Sequence, residues 1–180
     1  MNASEDAVRV VTFYEGSAPD DRGRFLDDVL HFNDTELEQY HDYIQWLFPT
    51  LQRSAYNPTA PILNASAVDM FHERHDLQTA LRRSLSRMLT FYSLEWAQGS
   101  IVRATSFAMH RSWLTLENHN HLRLTRILTS LRLLGDDYAA QALFRCLTEI
   151  EADERSNGAN GISQSTLKFW TEAAQTAPMR

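Results

Sequence analysis

The chain has 180 residues, a formal net charge of -6 and 43% hydrophobic residues. This length suits one domain that buries about 70% of the surface its unfolded form exposes. The acidic balance argues against general nucleic-acid binding, which depends on a basic surface, and no stretch approaches the roughly 20 apolar residues needed to cross a membrane. The single cysteine, Cys146, cannot form an intrachain disulfide, and its helical face is otherwise apolar, so we expect a buried, unreactive thiol.

The first predicted elements lie before Pro49. Apolar residues fall on one side of residues 24–31, which predicts a short helix. Thr35 with Glu38 three residues later is typical of a capping box, and Pro49 ends the next run because proline disfavours helical geometry in the preceding residue. We therefore expect one continuous helix over residues 36–47.

This central helix is predicted to be apolar around most of its circumference. Its buried stripe comprises Leu37, Tyr40, His41, Ile44, Leu47 and Phe48, widened by Tyr43 and Trp46. Only Glu38, Asp42 and Gln45 form a narrow polar ridge. A helix of this kind is normally surrounded by other helices, so the ridge should be partly buried, and Asp42 most needs a partner.

The middle of the chain is less regular. Residues 50–65 contain two prolines and predict a long connection. Ser66 opens a short helix, and a longer helix over residues 77–96 should end before Gly99. Residues 100–117 have no clean periodicity and are expected to be irregular or partly helical.

The last third predicts three further helices. The stripe of the first ends at Gly135 and comprises Leu124, Ile127, Leu128, Leu131 and Leu134. Asp136 or Asp137 caps the next helix, and Ser165 caps a final one after a polar link at residues 157–161. Because no alternation is sustained enough for a sheet, we predict an all-α fold, a single compact bundle of about six or seven helices with irregular connections, over residues 1–180.

A stripe of basic and polar side chains runs beside these leucines. His119, Arg123, Arg126 and Ser130 are spaced 4, 3 and 4 residues apart and share a helical face. In one interpretation Asp42 forms a structural ion pair with Arg123 or Arg126 across the core. In the other, the arginines leave a cationic pocket open for a carboxylate or phosphate.

The histidines do not predict a metal site or a catalytic centre. His41 is better explained as a hydrogen-bonded core residue. His119 and His121 are two residues apart and point to different sides of a helix. His72 and His75 are spaced three apart, whereas the zinc-protease motif needs four. We predict no catalytic residue, no metal ligand and no cofactor.

Several motifs in the chain resemble those of one known family. Residues 41–49 read His-Asp-Tyr-Ile-Gln-Trp-Leu-Phe-Pro, with Asn57 and Ala60-Pro61 behind them. Residues 13–20 hold Phe-Tyr-Glu-Gly and Pro-Asp, and residues 119–128 form a second block that follows Trp113. In this order, over about residues 13–150, the motifs resemble the conserved N-terminal domain of the opioid growth factor receptor family.

This resemblance implies a ligand-binding or interaction module, because the family's receptor is associated with the opioid pentapeptide Met-enkephalin and with growth control. A short peptide has an aromatic ring and a terminal carboxylate, which an aromatic groove with an arginine could accommodate. The candidate ligand-binding residues are Asp42, Tyr43, Gln45, Trp46, Trp113, His119, Arg123 and Arg126. The animal receptors' acidic, repeat-rich extension has no counterpart before Arg180, so a short homologue is expected.

Two other functional hypotheses stay open. The chain could be an enzyme of unrecognised chemistry that uses His41, Asp42, Gln45 and the arginines as a polar site. It could also be a scaffold whose conspicuous motif only stabilises the fold. The expected partner is a small peptide or small anionic ligand rather than a nucleic acid. The expected location is intracellular and soluble, in the cytoplasm, with a nuclear role if the analogy with the animal receptors holds.

Overall fold

The computed structural model describes residues 3–177. These residues form nine α-helices and one antiparallel two-stranded hairpin, with a 3-10 turn at Phe107–Met109. The elements are α1 Ala3–Tyr14, α2 Leu26–Leu30, α3 Asp34–Gln39, α4 Ile44–Leu47, α5 Ala65–Glu73, α6 His75–Phe91, β1 Leu94–Ala97, β2 Ser100–Arg103, α7 His119–Leu133, α8 Asp137–Ser156 and α9 Gln164–Ala174. The fold is mostly helical, as predicted. The expectations of six or seven helices and of a strictly all-α fold were wrong.

A single hydrophobic cluster connects these helices and the hairpin. In the C-terminal half, α7 packs against both α8 and α9, and α8 also contacts β2. In the N-terminal half, α1 packs against α5 and α6. Aromatic contacts join α1 to its neighbours, because Phe13 lies 5.1 Å from Trp46 and Tyr14 lies 4.8 Å from Phe71 between ring centroids. The aromatic segment before Pro49 is therefore part of the core.

The predicted continuous helix over residues 36–47 is broken in two. Asn33, rather than Thr35, caps α3 and forms a capping box with Glu36. The helix ends at Gln39, Tyr40 is extended at φ -85° and ψ 136°, and the short α4 begins only at Ile44. Tyr40 is 44% exposed, so the periodic pattern had assigned it wrongly to the buried stripe.

The predicted helix over residues 77–96 is also shorter than expected. α6 ends at Phe91, and Ser93 takes a left-handed conformation at φ 54° that redirects the chain. β1 then pairs with β2 in the register Leu94 to Arg103 and Ala97 to Ser100. Gln98 and Gly99 both have positive φ, at 49° and 76°, as a type I′ hairpin turn requires. Gly99 therefore forms a hairpin turn rather than a helix end.

The later helices agree better with their predictions. The leucine stripe of α7 is buried, and Gly135 follows the helix at φ 88°. Asp136 caps α8 by accepting a hydrogen bond from the Ala139 amide, and residues 48–64 form a long connection close to the predicted one over residues 50–65. Two caps were misplaced, because Asn64 rather than Ser66 caps α5, and Ser163 rather than Ser165 caps α9.

Cys146 lies in α8 and is 3% exposed, which confirms a buried thiol. Burial raises its pKa to about 11, since the interior disfavours the thiolate. None of the helices in residues 3–177 is both long and apolar enough to cross a membrane.

Candidate functional site

The site is built where α7 meets the end of α3. Arg123 Nη1 donates to the Leu37 carbonyl oxygen at 2.9 Å, and its Nη2 donates to the Tyr40 carbonyl oxygen at 2.8 Å and to His41 Nδ1 at 3.1 Å. The last carbonyls of a helix lack partners within the helix, and a cation there also complements the helix dipole. Arg123 therefore caps α3 from 86 positions away in the sequence. The two segments that the sequence suggested should meet are in contact.

The contact is not the expected ion pair with Asp42. The Asp42 carboxylate accepts instead from Arg22 and Arg24, each at 3.0 Å. Arg123 approaches only one carboxylate among the described residues, that of Glu38, at 3.9 Å. The predicted pairing of Asp42 with Arg123 or Arg126 was therefore wrong. The break after α3 explains the error, because it turns Asp42 toward the loop that carries Arg22 and Arg24.

The predicted aromatic groove is absent from the described part of the chain. Tyr43, Trp46 and Trp113 are at most 2% exposed and belong to the core. Tyr43 donates its hydroxyl to the Leu37 carbonyl oxygen, and Trp113 packs against Tyr92 at 5.4 Å between ring centroids. These three rings position the backbone around the site but cannot line a groove.

A cleft does lie beside them, between the 50–56 connection, α7 and α9. This α7–α9 cleft has a volume of about 640 Å³. Four of the predicted site residues line it: Gln45, His119, Arg123 and Arg126. Its rim carries large apolar side chains that are exposed, namely Leu51, Tyr56, Leu122 and Phe169. The cleft therefore combines cationic and apolar surface.

Arg126 is a half-buried cation in this cleft. Its Nη1 donates to the Phe48 carbonyl oxygen at 3.2 Å and to Thr50 Oγ1 at 3.3 Å, and both acceptors are neutral. Burial lowers its pKa, with no nearby carboxylate to oppose the shift. Glu172 also lines the cleft, but its carboxylate lies 3.8 Å from the Lys168 ammonium. Among the described residues, Arg126 therefore has hydrogen bonds but no ion pair.

Gln45 lines the same cleft from α4 and is 5% exposed. Its Nε2 donates to Ser54 Oγ at 3.3 Å, whereas its Oε1 is buried and has no hydrogen-bond partner among the described residues. Such an acceptor is uncommon, because buried polar atoms in native proteins are almost always paired.

Two histidines lie at one end of the cleft. The rings of His41 and His119 are 5.1 Å apart and perpendicular, and His119 Nε2 lies 3.4 Å from Glu38 Oε1. Desolvation and the neighbouring Arg123 lower the pKa of His119, which favours its neutral form. Within residues 3–177, no group of three or more histidine, cysteine, aspartate or glutamate side chains is placed to hold a metal ion.

A larger groove of about 1050 Å³ lies between α2, α6 and the turn after α7. Its three arginines each meet a carboxylate at 2.6–2.8 Å, in the pairs Arg82–Asp136, Arg83–Asp27 and Arg87–Asp34. These pairs neutralise the groove, so the α7–α9 cleft is the better candidate despite its smaller volume.

The apolar rim was missed by the sequence reasoning. Tyr56 lies in the connection, and Phe169 lies on α9 next to the buried residue Trp170. Their exposure depends on how α9 packs against α7, which periodicity does not specify. Of the predicted site residues, four polar ones from two distant segments line the cleft. Asp42 and the three core aromatic residues do not line it.

Comparisons with known proteins agree with the family resemblance of the sequence motifs. Residues 4–180 match the model of the opioid growth factor receptor (OGFr) conserved region. The chain is 33% identical over 165 residues to the opioid growth factor receptor of Homo sapiens, covering 88% of this chain and 24% of the relative. It is 32% identical over 167 residues to opioid growth factor receptor-like protein 1 of Rattus norvegicus, covering 88% of this chain and 35% of the relative.

The chain therefore spans about a quarter to a third of the length of these curated relatives. No solved structure matches it. The family model covers nearly the whole chain, including both motif blocks and the elements that build the cleft. This chain belongs to the opioid growth factor receptor family, through its conserved region.

Proposed function

We propose that this chain is a ligand-binding module whose α7–α9 cleft binds a short peptide or another small anionic ligand. The carboxylate of the ligand pairs with the Arg126 guanidinium. The observation that carries this proposal is the state of Arg126, a half-buried guanidinium with two neutral acceptors and no ion pair among the described residues. A buried cation without a counter-charge is costly, and a ligand carboxylate both neutralises it and fits the planar guanidinium.

The rim supports a ligand that also has apolar side chains. Leu122 and Phe169 are 53% and 48% exposed on facing helices, and Tyr56 is 82% exposed on the connection. Large apolar residues grouped around a concave site are typical of binding sites. The cleft volume also falls within the range of about 300–1,000 Å³ that small-ligand sites occupy. A short amphipathic peptide matches both the charge and the apolar surface.

Family membership supports a receptor-like role. The human and rat relatives are named as an opioid growth factor receptor and a receptor-like protein. The family resemblance suggests Met-enkephalin as the first probe, because this pentapeptide has an aromatic side chain and a thioether side chain near its free carboxylate.

The proposal is tested by titrating the protein with Met-enkephalin and with its C-terminal amide in a calorimeter. We expect the amide to bind at least about tenfold more weakly than the free acid, because it lacks the charge that pairs with Arg126. Arg126→Met should weaken binding of the free acid by a similar factor and should no longer distinguish the two peptides.

Arg145→Met is the matched control, since Arg145 is exposed on α8 and lies outside the cleft. It should bind both peptides as the wild-type protein does. If Arg126→Met folds normally and binds the free acid as tightly as wild type, Arg126 is not the anchor and this proposal is wrong.

A further inference from the structure

The Gln45 side chain is the second unusual polar group in the α7–α9 cleft. It is 5% exposed, and within residues 3–177 its Oε1 has no hydrogen-bond partner. Its Nε2 is held only by Ser54 Oγ, at the long distance of 3.3 Å. One end of a buried amide is therefore weakly held, and the other end is unpaired.

An unpaired buried acceptor disfavours the empty site. Leaving such a group without a donor costs more than an average hydrogen bond contributes, because the group has lost water and gained nothing in return. A donor that arrives with a ligand removes this cost, so ligands with a suitably placed N–H are favoured over ligands without one.

Gln45 lies close in sequence to the two groups that accept hydrogen bonds from Arg126. Arg126 Nη1 donates to the carbonyl oxygen of Phe48, which lies three residues after Gln45, and to the hydroxyl of Thr50. Gln45 lies in α4, Phe48 is the capping residue that follows α4, and Gln45 and Arg126 both line the cleft. A single terminal residue of a peptide carries both a carboxylate and an amide N–H, separated by one Cα atom.

We propose that the ligand of this cleft presents an amide N–H to Gln45 Oε1 beside the carboxylate bound by Arg126. This inference rests on the proposed function and narrows the ligand class to N-acylated amino acids and peptides with a free C-terminus. Phosphate esters and fatty acids have the negative charge but no neighbouring N–H, and they leave Gln45 unpaired.

The 50–56 connection lies next to the Gln45 amide. Ser54 belongs to this connection, which lines the cleft, and its hydroxyl also accepts from the amides of Tyr56 and Asn57 at 3.2 and 3.3 Å. Gln45 Oε1 is buried, so a ligand N–H reaches it only if the connection shifts and the 3.3 Å contact between Gln45 Nε2 and Ser54 Oγ loosens.

The test compares two versions of one peptide, Met-enkephalin and its depsipeptide, in which an ester oxygen replaces the last amide N–H. Both are titrated into the wild-type protein, Gln45→Met and Gln141→Met. Gln141 lies on α8, outside the cleft, and serves as the matched glutamine control. Methionine keeps the length of the glutamine side chain but lacks the amide oxygen.

We expect the depsipeptide to bind wild type and Gln141→Met about tenfold more weakly than the peptide, which corresponds to roughly 1.4 kcal/mol. In Gln45→Met the difference between the two ligands should fall below about twofold, because the acceptor is gone. The wild-type comparison needs no variant, so it stays informative even if Gln45→Met does not fold.

Two outcomes overturn the inference. The first leaves the proposed function intact, and the second overturns the proposed function as well. If the depsipeptide binds wild type as tightly as the peptide, while Arg126→Met still weakens both, the role of Gln45 is wrong and the carboxylate anchor stands. If neither ligand responds to Arg126→Met, the proposed function fails and this inference fails with it.

Discussion

Arg123 donates a hydrogen bond to the carbonyl oxygen of Leu37 at 2.9 Å, and this contact joins α7 to the end of α3. The guanidinium is 5% exposed, and its second nitrogen donates to the Tyr40 carbonyl oxygen. A residue far along the chain therefore ends a helix that local sequence would have continued.

We expect Arg123→Met to lower the free energy of unfolding by about 2–4 kcal/mol, because the end of α3 loses its cation, the Tyr40 carbonyl oxygen loses the guanidinium, and the Leu37 carbonyl oxygen keeps only the Tyr43 hydroxyl as a donor. Arg123→Lys should recover only part of this loss, since an ammonium cannot reproduce the forked geometry of a guanidinium. Urea denaturation measures both changes, with Arg145→Met as a control that stays within about 0.5 kcal/mol of wild type. A wild-type midpoint for Arg123→Met would show that the capping contact contributes nothing.

Asp42→Asn should have a much smaller effect, of less than about 1 kcal/mol. Asp42 pairs with Arg22, which is 71% exposed and screened by water, and with Arg24, which keeps its ion pair with Asp20 when Asp42 loses its charge. The matched change is Asp20→Asn, because the buried Asp20 carboxylate accepts from two backbone amides and from Arg24. We expect Asp20→Asn to cost about 2–3 kcal/mol in thermal or urea denaturation. The reverse order of the two costs would contradict this assignment.

Gly135→Ala tests the turn between α7 and α8. Gly135 has φ 88°, and a Cβ atom there would lie 2.8 Å from the His72 ring. We expect a loss of about 2–3 kcal/mol, from the left-handed backbone and the collision together. Gly23→Ala is the control, since Gly23 has φ 79° with open space around it and should lose only about 1 kcal/mol.

The double variant Gly135→Ala/His72→Ala separates the two causes. Removing the ring should recover the steric part of the loss and leave the backbone part. Denaturation of the four proteins gives the coupling free energy, and a value near zero would mean that the His72 ring does not limit this position.

His121 predicts a specific dependence of stability on pH. It is 4% exposed, its Nε2 lies 2.9 Å from the Trp113 carbonyl oxygen, and burial lowers its pKa below the ordinary value near 6.5. The unfolded chain then binds this proton more readily than the folded chain, so its contribution is complete above about pH 6.5 and is lost as the pH falls toward the folded pKa.

We therefore expect the free energy of unfolding to decrease from about pH 7 to pH 5, with a slope from this group of at most about 1.4 kcal/mol per pH unit. His121→Gln should flatten that part of the profile, because glutamine can still donate to Trp113 but does not titrate. Urea denaturation at several pH values measures both profiles, and parallel profiles would exclude His121 as the source.

The sequence correctly predicted those helices whose ends are marked by a capping residue or a glycine. The leucine stripe of α7 ends at Gly135, and Asp136 caps α8, so periodicity and capping agree with the structure there. The hairpin was missed because each strand has only four residues, too few for alternation to stand out, and because Gln98 is an unusual residue for its turn.

The sequence predicted only the polar residues of the candidate site. Gln45, His119, Arg123 and Arg126 could be selected because charged and polar residues on apolar helices need partners. The sequence could not specify which partners they find, and it placed Tyr43, Trp46 and Trp113 in the site although they are core residues. In the sequence, an exposed apolar residue such as Phe169 cannot be told apart from a buried one, because its exposure depends on how α9 packs.

By itself, the sequence determined the family and the mostly helical class, because motifs, periodicity and caps are local properties. It also suggested that the aromatic segment meets the arginine-bearing helix, but through an ion pair that does not form. Only the tertiary structure decided where the central helix breaks and which charges pair. Arg123 reaches the end of α3, Asp42 turns to Arg24, and Arg126 remains in an open cleft. These outcomes depend on competition between distant partners for the same donors and acceptors, which only the packed chain resolves.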